Sequence, residues 1–285
     1  MDLKQLVMLA IQVSIICVVF GFGLRATSED LLYLVRRPGL LARSLLAVFI
    51  IMPIVAVVLD RLFTFRPEVE AVLVALALSP IPPLLPRKLG KAGGNTSYAL
   101  GLMAILSLLS IVFVPVAIEV LQRFGRPFGM APFAIAGVVL KATLLPLAAG
   151  MIVRATLPQL AERIKKPLAL LANGLLMLGI LALLAALLPA VWAQVGDGTI
   201  LGLLAFLVVG LAVGHILGGP NPDNSVDLAI ATACRHPAVA LTIAAANYPD
   251  QRLAGTIVLY LIVGALVCIP YIEWQKRQVV AASIA

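Results

Sequence analysis

The stretch 227–250 contains the side chains with the greatest capacity for chemistry, because it is apolar enough to enter a membrane and yet has Arg235, His236 and Pro237 at its centre. Pro237 has no backbone N–H and disfavours helical geometry at His236, so we predict that the helix breaks there. A break frees backbone amides and carbonyls that need partners inside a bilayer. Broken helices with a few polar side chains near the midplane are typical binding sites of secondary transporters.

The elements that must position these residues are membrane helices. The chain has 285 residues, of which 62% are apolar and 12% charged, and its mean hydropathy is +1.10. A soluble domain has about 25% charged residues. The apolar runs are longer than the roughly 10 residues of a barrel strand. The composition therefore predicts an all-α polytopic membrane protein, with the first apolar run retained as a span rather than cleaved as a signal peptide.

We predict nine spans of about 20 residues, the length that crosses a bilayer, and they form one transmembrane unit over residues 1–285. Their predicted bounds are Leu6–Leu24, Leu40–Leu59, Val69–Pro86, Thr96–Leu121, Pro132–Val153, Pro167–Trp192, Thr199–Leu217, Leu228–Tyr248 and Leu253–Trp274.

The basic residues predict the orientation of these spans. Of the 21 Lys and Arg residues, the majority lie in or beside four connections that share one side when the spans alternate: 25–37, 87–91, 154–166 and the tail after Trp274. The positive-inside rule then places the C-terminus in the cytoplasm and the N-terminus outside the cell membrane. The net charge of +8 follows mostly from this bias, so we do not expect nucleic acid as a partner.

Two spans interrupt the hydropathy pattern and lie five spans apart. The earlier one, at about 69–94, is rich in proline and then in glycine, and the later one, at about 227–248, is centred on Arg235. An odd separation gives the two spans opposite orientations. We therefore predict an inverted repeat in which two discontinuous helices cross at the midplane.

The order of several motifs resembles the bile acid:sodium symporter family. The stretch 23–56, GLRATSEDLLYLVRRPGLLARSLLAVFIIMPIVA, is similar to the family's succession of Gly-Leu, an acidic residue, Arg-Arg-Pro and Phe-x-x-Met-Pro, and GHILGG around His215 is similar as well. The resemblance covers nearly the whole chain. It implies a core domain of the crossing helices with their neighbours, a panel domain of the remaining helices, and alternating access between the two.

The resemblance fails at the positions where the family binds sodium. Those positions hold Val48, Leu85, Pro86, Ala231 and Arg235 in this chain, and only Ser107 keeps a hydroxyl that the family has. Sodium needs oxygen ligands, and a buried Arg opposes any cation. We therefore expect no sodium coupling and no other cofactor or metal. Either Arg235 stands in place of the cation, or His236 carries a proton.

The predicted substrate site lies where the two breaks meet, and each member also has a structural interpretation. Arg235 could pair only with backbone carbonyls, His236 could only cap a helix, and Lys141 could face an aqueous cavity. Hydroxyls and amides often serve as hydrogen-bonding contacts between membrane helices. The candidate residues are Arg235, His236, Thr232, Pro237, Pro83, Pro86, Ser107, Asn173 and Lys141.

These observations favour a secondary transporter or facilitator of a small organic anion, with the lipid bilayer and that anion as its partners. An ordinary sodium-dependent, bile-acid-like symporter and a non-transporting sensor or subunit of the same fold are the alternatives. An enzyme is not expected, because the spans contain no clustered acids and the chain has 2 histidines in all.

Overall fold

The computed structural model describes residues 3–84, 95–123, 132–247 and 253–284, and these are almost entirely helical, with no strand among them. The helices are α1 (Leu3–Gly23), α2 (Ser28–Leu32), α3 (Pro38–Leu45), the π-helical turn π1 (Leu46–Ile51), α4 (Met52–Leu62), α5 (Pro67–Leu78), α6 (Thr96–Arg123), α7 (Pro132–Val139), the π-helical turn π2 (Leu140–Leu144), α8 (Leu145–Thr156), α9 (Pro158–Trp192), α10 (Thr199–Leu217), α11 (Pro222–Ala233), α12 (Pro237–Asn247) and α13 (Leu253–Ile284).

Eight helical segments in the described ranges are long and apolar enough to cross a membrane, which confirms the all-α polytopic class. One of the eight, Pro222–Ala246, contains the break between α11 and α12. The earlier broken span is not among them, because α5 has 12 residues and residues 85–94 lie outside the described part of the chain. The count of nine therefore stays a prediction.

Several helices begin earlier or end later than their apolar runs. α9 begins at Pro158 rather than at Pro167, and α11 begins at Pro222, where the Asn221 side chain accepts the N–H groups of Asp223 and Asn224. α13 continues past Trp274 to Ile284. Hydropathy marks only the part of a helix that suits lipid, whereas proline and a capping side chain mark where the backbone turns into a helix.

The helices form two groups. In the first, α1 packs against α8 and α9. The Ser14 hydroxyl donates to the Ala172 carbonyl over 2.7 Å. Gly23 and Gly150 let α1 and α8 approach closely, since a Cβ on Gly150 would lie 2.9 Å from the Gly23 Cα. Small residues at such contacts are typical of helix packing in membranes.

The second group surrounds α5, whose residues from Ala71 to Leu78 are buried, as are Glu68 and Val69. Helices α4, α12 and α13 pack around it, and α11 packs along α10. Three glycines four residues apart meet α11: Gly210 and Gly214 on α10, and Gly218 directly after its last residue. This stripe brings the backbone of α10 against the helix that precedes the later break.

The connections gather at two ends of the bundle. At one end the Arg154 guanidinium donates to the Arg25 carbonyl, and Asp30 accepts from the Ser97 hydroxyl over 2.5 Å. Burial raises the pKa of Asp30, but the hydrogen bonds from Ser97 and Thr27 outweigh that effect and hold it below its usual value. At the other end Arg66 and Asp197 form an ion pair over 2.6 Å.

Candidate functional site

The earlier break follows α5 because proline removes the next hydrogen-bond donors. Ser79 is extended, with φ −70° and ψ 149°. Pro80 has no N–H to donate to the Leu76 carbonyl, which would be its helical partner. The Ser79 hydroxyl donates a hydrogen bond to the Leu76 carbonyl instead, over 2.8 Å. The last carbonyls of α5 therefore point at the break with room for further donors.

The later break lies directly against the earlier one. Cys234 is extended, with φ −89° and ψ 122°, and α12 starts again at Pro237. Between them the His236 backbone N–H donates to the Pro80 carbonyl over 2.8 Å. The backbones of the two broken helices thus bind each other where neither continues its own hydrogen-bond ladder. We call this region the crossing point.

Arg235 fills the crossing point with its guanidinium. The residue is 1% exposed. Its Nε donates to the Leu76 carbonyl over 3.0 Å and its Nη2 to the Val48 carbonyl over 2.9 Å, with a further bond from Nη2 to the Ala77 carbonyl. The guanidinium therefore binds both the C-terminal end of α5, where the helix dipole is negative, and the helix that contains Val48.

The Val48 carbonyl is available because of a π-helical turn followed by a proline. The Met52 N–H skips Val48 and donates to the Ala47 carbonyl, five residues back. The next N–H in that register would belong to Pro53, which has none. Val48 is therefore left without a donor from its own helix, and Arg235 supplies one.

The charge of Arg235 is not balanced by an acid in the part of the chain that the structure describes. The ion pairs there join Arg66 to Asp197, Arg123 to Glu119, Lys165 to Glu162 and Lys276 to Glu273. The Nη1 atom of Arg235 is buried and has no hydrogen-bond partner in the same residues. The crossing point thus holds a positive charge surrounded by carbonyl dipoles.

Tyr260 on α13 completes the later break, and it was not among the residues predicted from the sequence. Its hydroxyl donates to the Ala233 carbonyl over 2.8 Å and accepts the Arg235 backbone N–H over 2.7 Å. One hydroxyl thereby satisfies a donor and an acceptor that the break leaves open. A tyrosine within an apolar run gives no sequence signal for this role.

His236 caps the N-terminus of α12. Its Nδ1 accepts the Val239 backbone N–H over 3.3 Å, so the neutral ring carries its proton on Nε2. The Nε2 atom is buried with no partner in the described ranges, and the residue is 2% exposed. The capping contact matches the structural interpretation of His236, while the unpartnered Nε2 leaves the proton-carrier interpretation in place.

The remaining candidates are spread over both groups of helices. Thr232 is buried and its hydroxyl bonds to the Leu228 carbonyl over 2.7 Å. Pro83 is buried in the turn after the earlier break, and Pro237 is half-buried at the start of α12. No hydrogen bond in the described residues joins Ser107, Asn173 or Lys141 to Arg235 or His236. Ser107 is buried on α6, and its hydroxyl has no hydrogen-bond partner among the described residues. Asn173 is half-buried on α9, and Lys141 is exposed on π2. Pro86 and Leu85 lie outside the described residues.

The crossing point is closed in this structure. Arg235, His236 and Thr232 are all buried. A groove of about 410 Å³ lies elsewhere, at the turn between α8 and α9, and Thr156 and Arg163 line it. The described helices around the crossing point therefore enclose Arg235, and they would have to move apart to expose it.

The all-helical fold, with two helices broken at one buried point, is that of a membrane transporter. The model of the sodium bile acid symporter family matches residues 12–194. The chain therefore belongs to this family, which confirms the resemblance found in the sequence. The matched part includes α5 and ends before α11 begins.

A curated relative supports the same class. The chain is 27% identical over 203 residues to a protein described as "Uncharacterized sodium-dependent transporter YocS" from Bacillus subtilis (strain 168). The alignment covers 70% of this chain and 60% of the relative, so the chain spans about three fifths of that protein's length.

Proposed function

We propose that this family member moves a small organic anion across the cell membrane by alternating access and that Arg235 takes the place of a coupling sodium ion. The observation that carries the proposal is the guanidinium of Arg235 on the carbonyls of Val48, Leu76 and Ala77. Freed carbonyls of broken helices are the groups that coordinate sodium in transporters of this kind. Here a permanent cation of the protein occupies them.

Electrostatics favours this arrangement over sodium binding beside Arg235. Two like charges 4 Å apart repel by about 4 kcal/mol at an effective dielectric constant of 20. Sodium would also need several oxygen ligands, and Ala231 offers no side-chain oxygen. Arg235 therefore excludes sodium as long as it remains on these carbonyls.

The same charge favours an anionic substrate. A buried cation without a carboxylate partner is costly, and an anion that enters the crossing point reduces that cost. Lys141 would add a second positive charge from the first group of helices if it faces the path of the substrate. The basic connections support a cytoplasmic C-terminus in this proposal.

Sodium dependence is the second candidate, and it is favoured because the relative from Bacillus subtilis is described as a sodium-dependent transporter. It requires the Arg235 side chain to leave the carbonyls and sodium to replace it. The two candidates differ in one measurable respect, because only the second needs sodium for anion binding.

Thermal stabilisation of the purified protein in detergent separates the two. We expect an organic carboxylate or sulfonate to raise the unfolding midpoint equally in sodium and in potassium, and a neutral analogue to have no effect. A ligand at 100 times its Kd stabilises the folded state by about 2.7 kcal/mol. Stabilisation that appears only with sodium would contradict the proposal.

The role of Arg235 is tested in the same assay with two variants. We expect Arg235→Gln to lose the anion effect, and Arg163→Gln, a matched change of an exposed residue, to keep it. Arg235→Lys retains the charge, and it is used as the test variant if Arg235→Gln does not fold. Uptake of the stabilising anion by proteoliposomes then distinguishes a transporter from a sensor.

A further inference from the structure

A buried carboxylate lies on α11, between the start of that helix and the crossing point. Asp227 is 0% exposed. Its Oδ2 accepts the backbone N–H of Asn95 over 2.9 Å. Its other oxygen, Oδ1, is buried and has no hydrogen-bond partner in the ranges described. One of the two carboxyl oxygens therefore accepts no hydrogen bond from the described residues.

Among the described residues, the groups around Asp227 include no cation that pairs with it. Helix α11 packs against α10, α13, α6 and π1, and π1 has only apolar side chains. On α11 itself, Asp223 lies one turn earlier and is exposed. Arg43 on α3 donates to the Gly39 carbonyl of its own helix. The titratable groups facing Asp227 from the other helices are Tyr98 on α6 and Tyr271 on α13, with His215 on α10 bonded to Tyr271 over 2.8 Å.

Both protonation states of Asp227 have a physical basis in this position. An ionised carboxylate without a cationic partner is costly to bury, whereas a protonated carboxyl group is tolerated and gains a donor at Oδ1. The Asn95 N–H belongs to the N-terminus of α6, where Asn95 Oδ1 also accepts the Tyr98 N–H over 3.2 Å. The positive end of a helix dipole partly compensates a negative charge. A proton can therefore bind and leave without disrupting the fold.

The bond between Asp227 and Asn95 joins α11, the first half of the later broken helix, to the N-terminus of α6. Asp227 lies six residues before Ala233, which is about 9 Å along the helix axis. Tyr33 links the same parts, since it accepts from the Asn95 amide over 3.0 Å and donates to Asn224 Oδ1 over 3.4 Å. A change of charge at Asp227 therefore acts on the contact between α6 and α11, the helix that ends at the crossing point.

We propose that Asp227 is a proton-binding site and that a proton travels with the anion. The proton comes from water on one side, binds Oδ1 of the carboxylate, and returns to water on the other side as the helices around the crossing point rearrange. Coupling to anion movement rests on the proposed function, whereas proton binding by Asp227 does not.

The unfolding midpoint without any substrate tests the proton site. Ionising a buried carboxyl group that has no cationic partner is costly, so raising the pH through its ionisation destabilises the folded chain. We therefore expect the midpoint of the wild type to fall by on the order of 5 °C as the pH is raised from acid to alkali. Asp223→Asn, the matched control on the same helix, should behave like the wild type, and Asp227→Asn should lose this dependence. An unchanged dependence in Asp227→Asn overturns the proposal.

Infrared spectroscopy keeps the proposal testable if Asp227→Asn does not fold. In wild-type and Asp223→Asn protein with isotope-labelled aspartate, we expect a protonated aspartate band that persists at neutral pH and disappears in alkali. Absence of that band overturns the proton site.

The coupling is tested by uptake of the stabilising anion into proteoliposomes under an inward proton gradient. The gradient should accelerate uptake by the wild type and Asp223→Asn and leave Asp227→Asn unaffected. Equal acceleration of all three overturns the coupling. Uptake by none of them, with the pH-dependent midpoint intact, refutes the proposed function and leaves the proton site standing.

Discussion

At the scale of single residues, Arg235 is the side chain whose position explains most about the site. A guanidinium is a rigid fork of five donors, and three of its bonds here go to carbonyls of neighbouring helices that have room for a further donor. A lysine ammonium could not reach two helices with the same geometry. In the proposed function, Arg235 thus combines two roles that sodium would otherwise perform, which are to hold the broken helices together and to supply positive charge.

A pair of substitutions tests whether Arg235 has replaced sodium. The resemblance gives Glu and Gln as the family's residues at positions 231 and 235, so Ala231→Glu with Arg235→Gln restores a carboxylate and removes the guanidinium. The carbonyls of Val48, Leu76 and Ala77 are then free to supply oxygens. We expect sodium to raise the unfolding midpoint of the double variant more than potassium does, by several degrees for about 1 to 2 kcal/mol of binding energy.

The single variant Ala231→Glu is the control for that experiment. It retains Arg235, which can neutralise the new carboxylate, so it should not respond to sodium. A sodium response in the single variant, or none in the double variant, contradicts the idea that Arg235 occupies a cation site.

Sequence reasoning singled out Arg235 as a candidate and gave pairing with backbone carbonyls as one of its interpretations, because a charge beside a proline in an apolar run is rare enough to be informative. It placed Val48 at a position where the family binds sodium but did not predict its contact with Arg235, and it did not single out Tyr260 or Asp227. Their roles depend on segments far apart in the chain, such as the hydrogen bond between Asn95 and Asp227. Only the packing of the helices reveals which distant groups meet.

At the scale of secondary-structure elements, two helices contain the same feature, a π-helical turn directly before a proline. In one the Met52 N–H donates to Ala47 before Pro53, and in the other the Leu145 N–H donates to Leu140 before Pro146. Each such turn leaves one backbone carbonyl without a hydrogen bond from its own helix. π-helical turns are often found at functional sites, and the first of these two supplies the Val48 carbonyl to Arg235.

Substitution of Pro53 tests the importance of that turn. Pro53→Ala introduces an N–H that competes with Arg235 for the Val48 carbonyl. We expect a loss of about 1 kcal/mol in stability, the value of one hydrogen bond, and weaker anion binding in the thermal assay. Pro115→Ala, which removes a proline from the interior of α6, should be neutral or stabilising. Equal effects of the two changes would contradict a special role for the π1 turn.

The glycine stripe on α10 makes a separate prediction about packing. A Cβ on Gly214 would overlap with the backbone of Leu228 and Ala229. We expect Gly214→Ala to lower stability by about 1 to 3 kcal/mol through overpacking, as measured by the unfolding midpoint. Gly174→Ala on α9, where nothing lies within 4 Å of the new Cβ, should leave the midpoint unchanged or raise it. A neutral Gly214→Ala would refute the close contact between α10 and α11.

The sequence predicted the elements better in their apolar parts than at their ends. The broken span around Pro237 could be recognised because proline has a fixed effect on the backbone. The early starts of α9 at Pro158 and of α11 at Pro222 lie in polar segments, where hydropathy gives no signal. The π-helical turns were not predicted either, because the register of a helix depends on what its free carbonyls find in the folded protein.

At the scale of the whole molecule, the contacts at the ends of the bundle differ from those at the crossing point. The Arg66 to Asp197 ion pair joins two connections, and its side chains are 37% and 55% exposed. Exposed ion pairs contribute about 0 to 1 kcal/mol. The bonds of Arg235 and His236 are buried. In the proposed transport cycle, contacts at the ends can therefore break and form again while the crossing point keeps its two broken helices together.

The two groups of helices provide the parts for such a cycle. The first contains α1, α8 and α9, and the second contains α5 with α11, α12 and α13. We interpret them as the panel and the core that the family resemblance implies. The movement of one group against the other would open the closed crossing point to one side of the membrane and then to the other.

Uptake of a stabilising organic anion by proteoliposomes prepared without sodium shows whether Arg235 replaces the coupling ion. We expect the same initial rate in potassium as in sodium for the wild type, and little uptake for Arg235→Gln in either. Uptake by the wild type that requires sodium would contradict this expectation, because the guanidinium of Arg235 would then not stand in for the coupling ion.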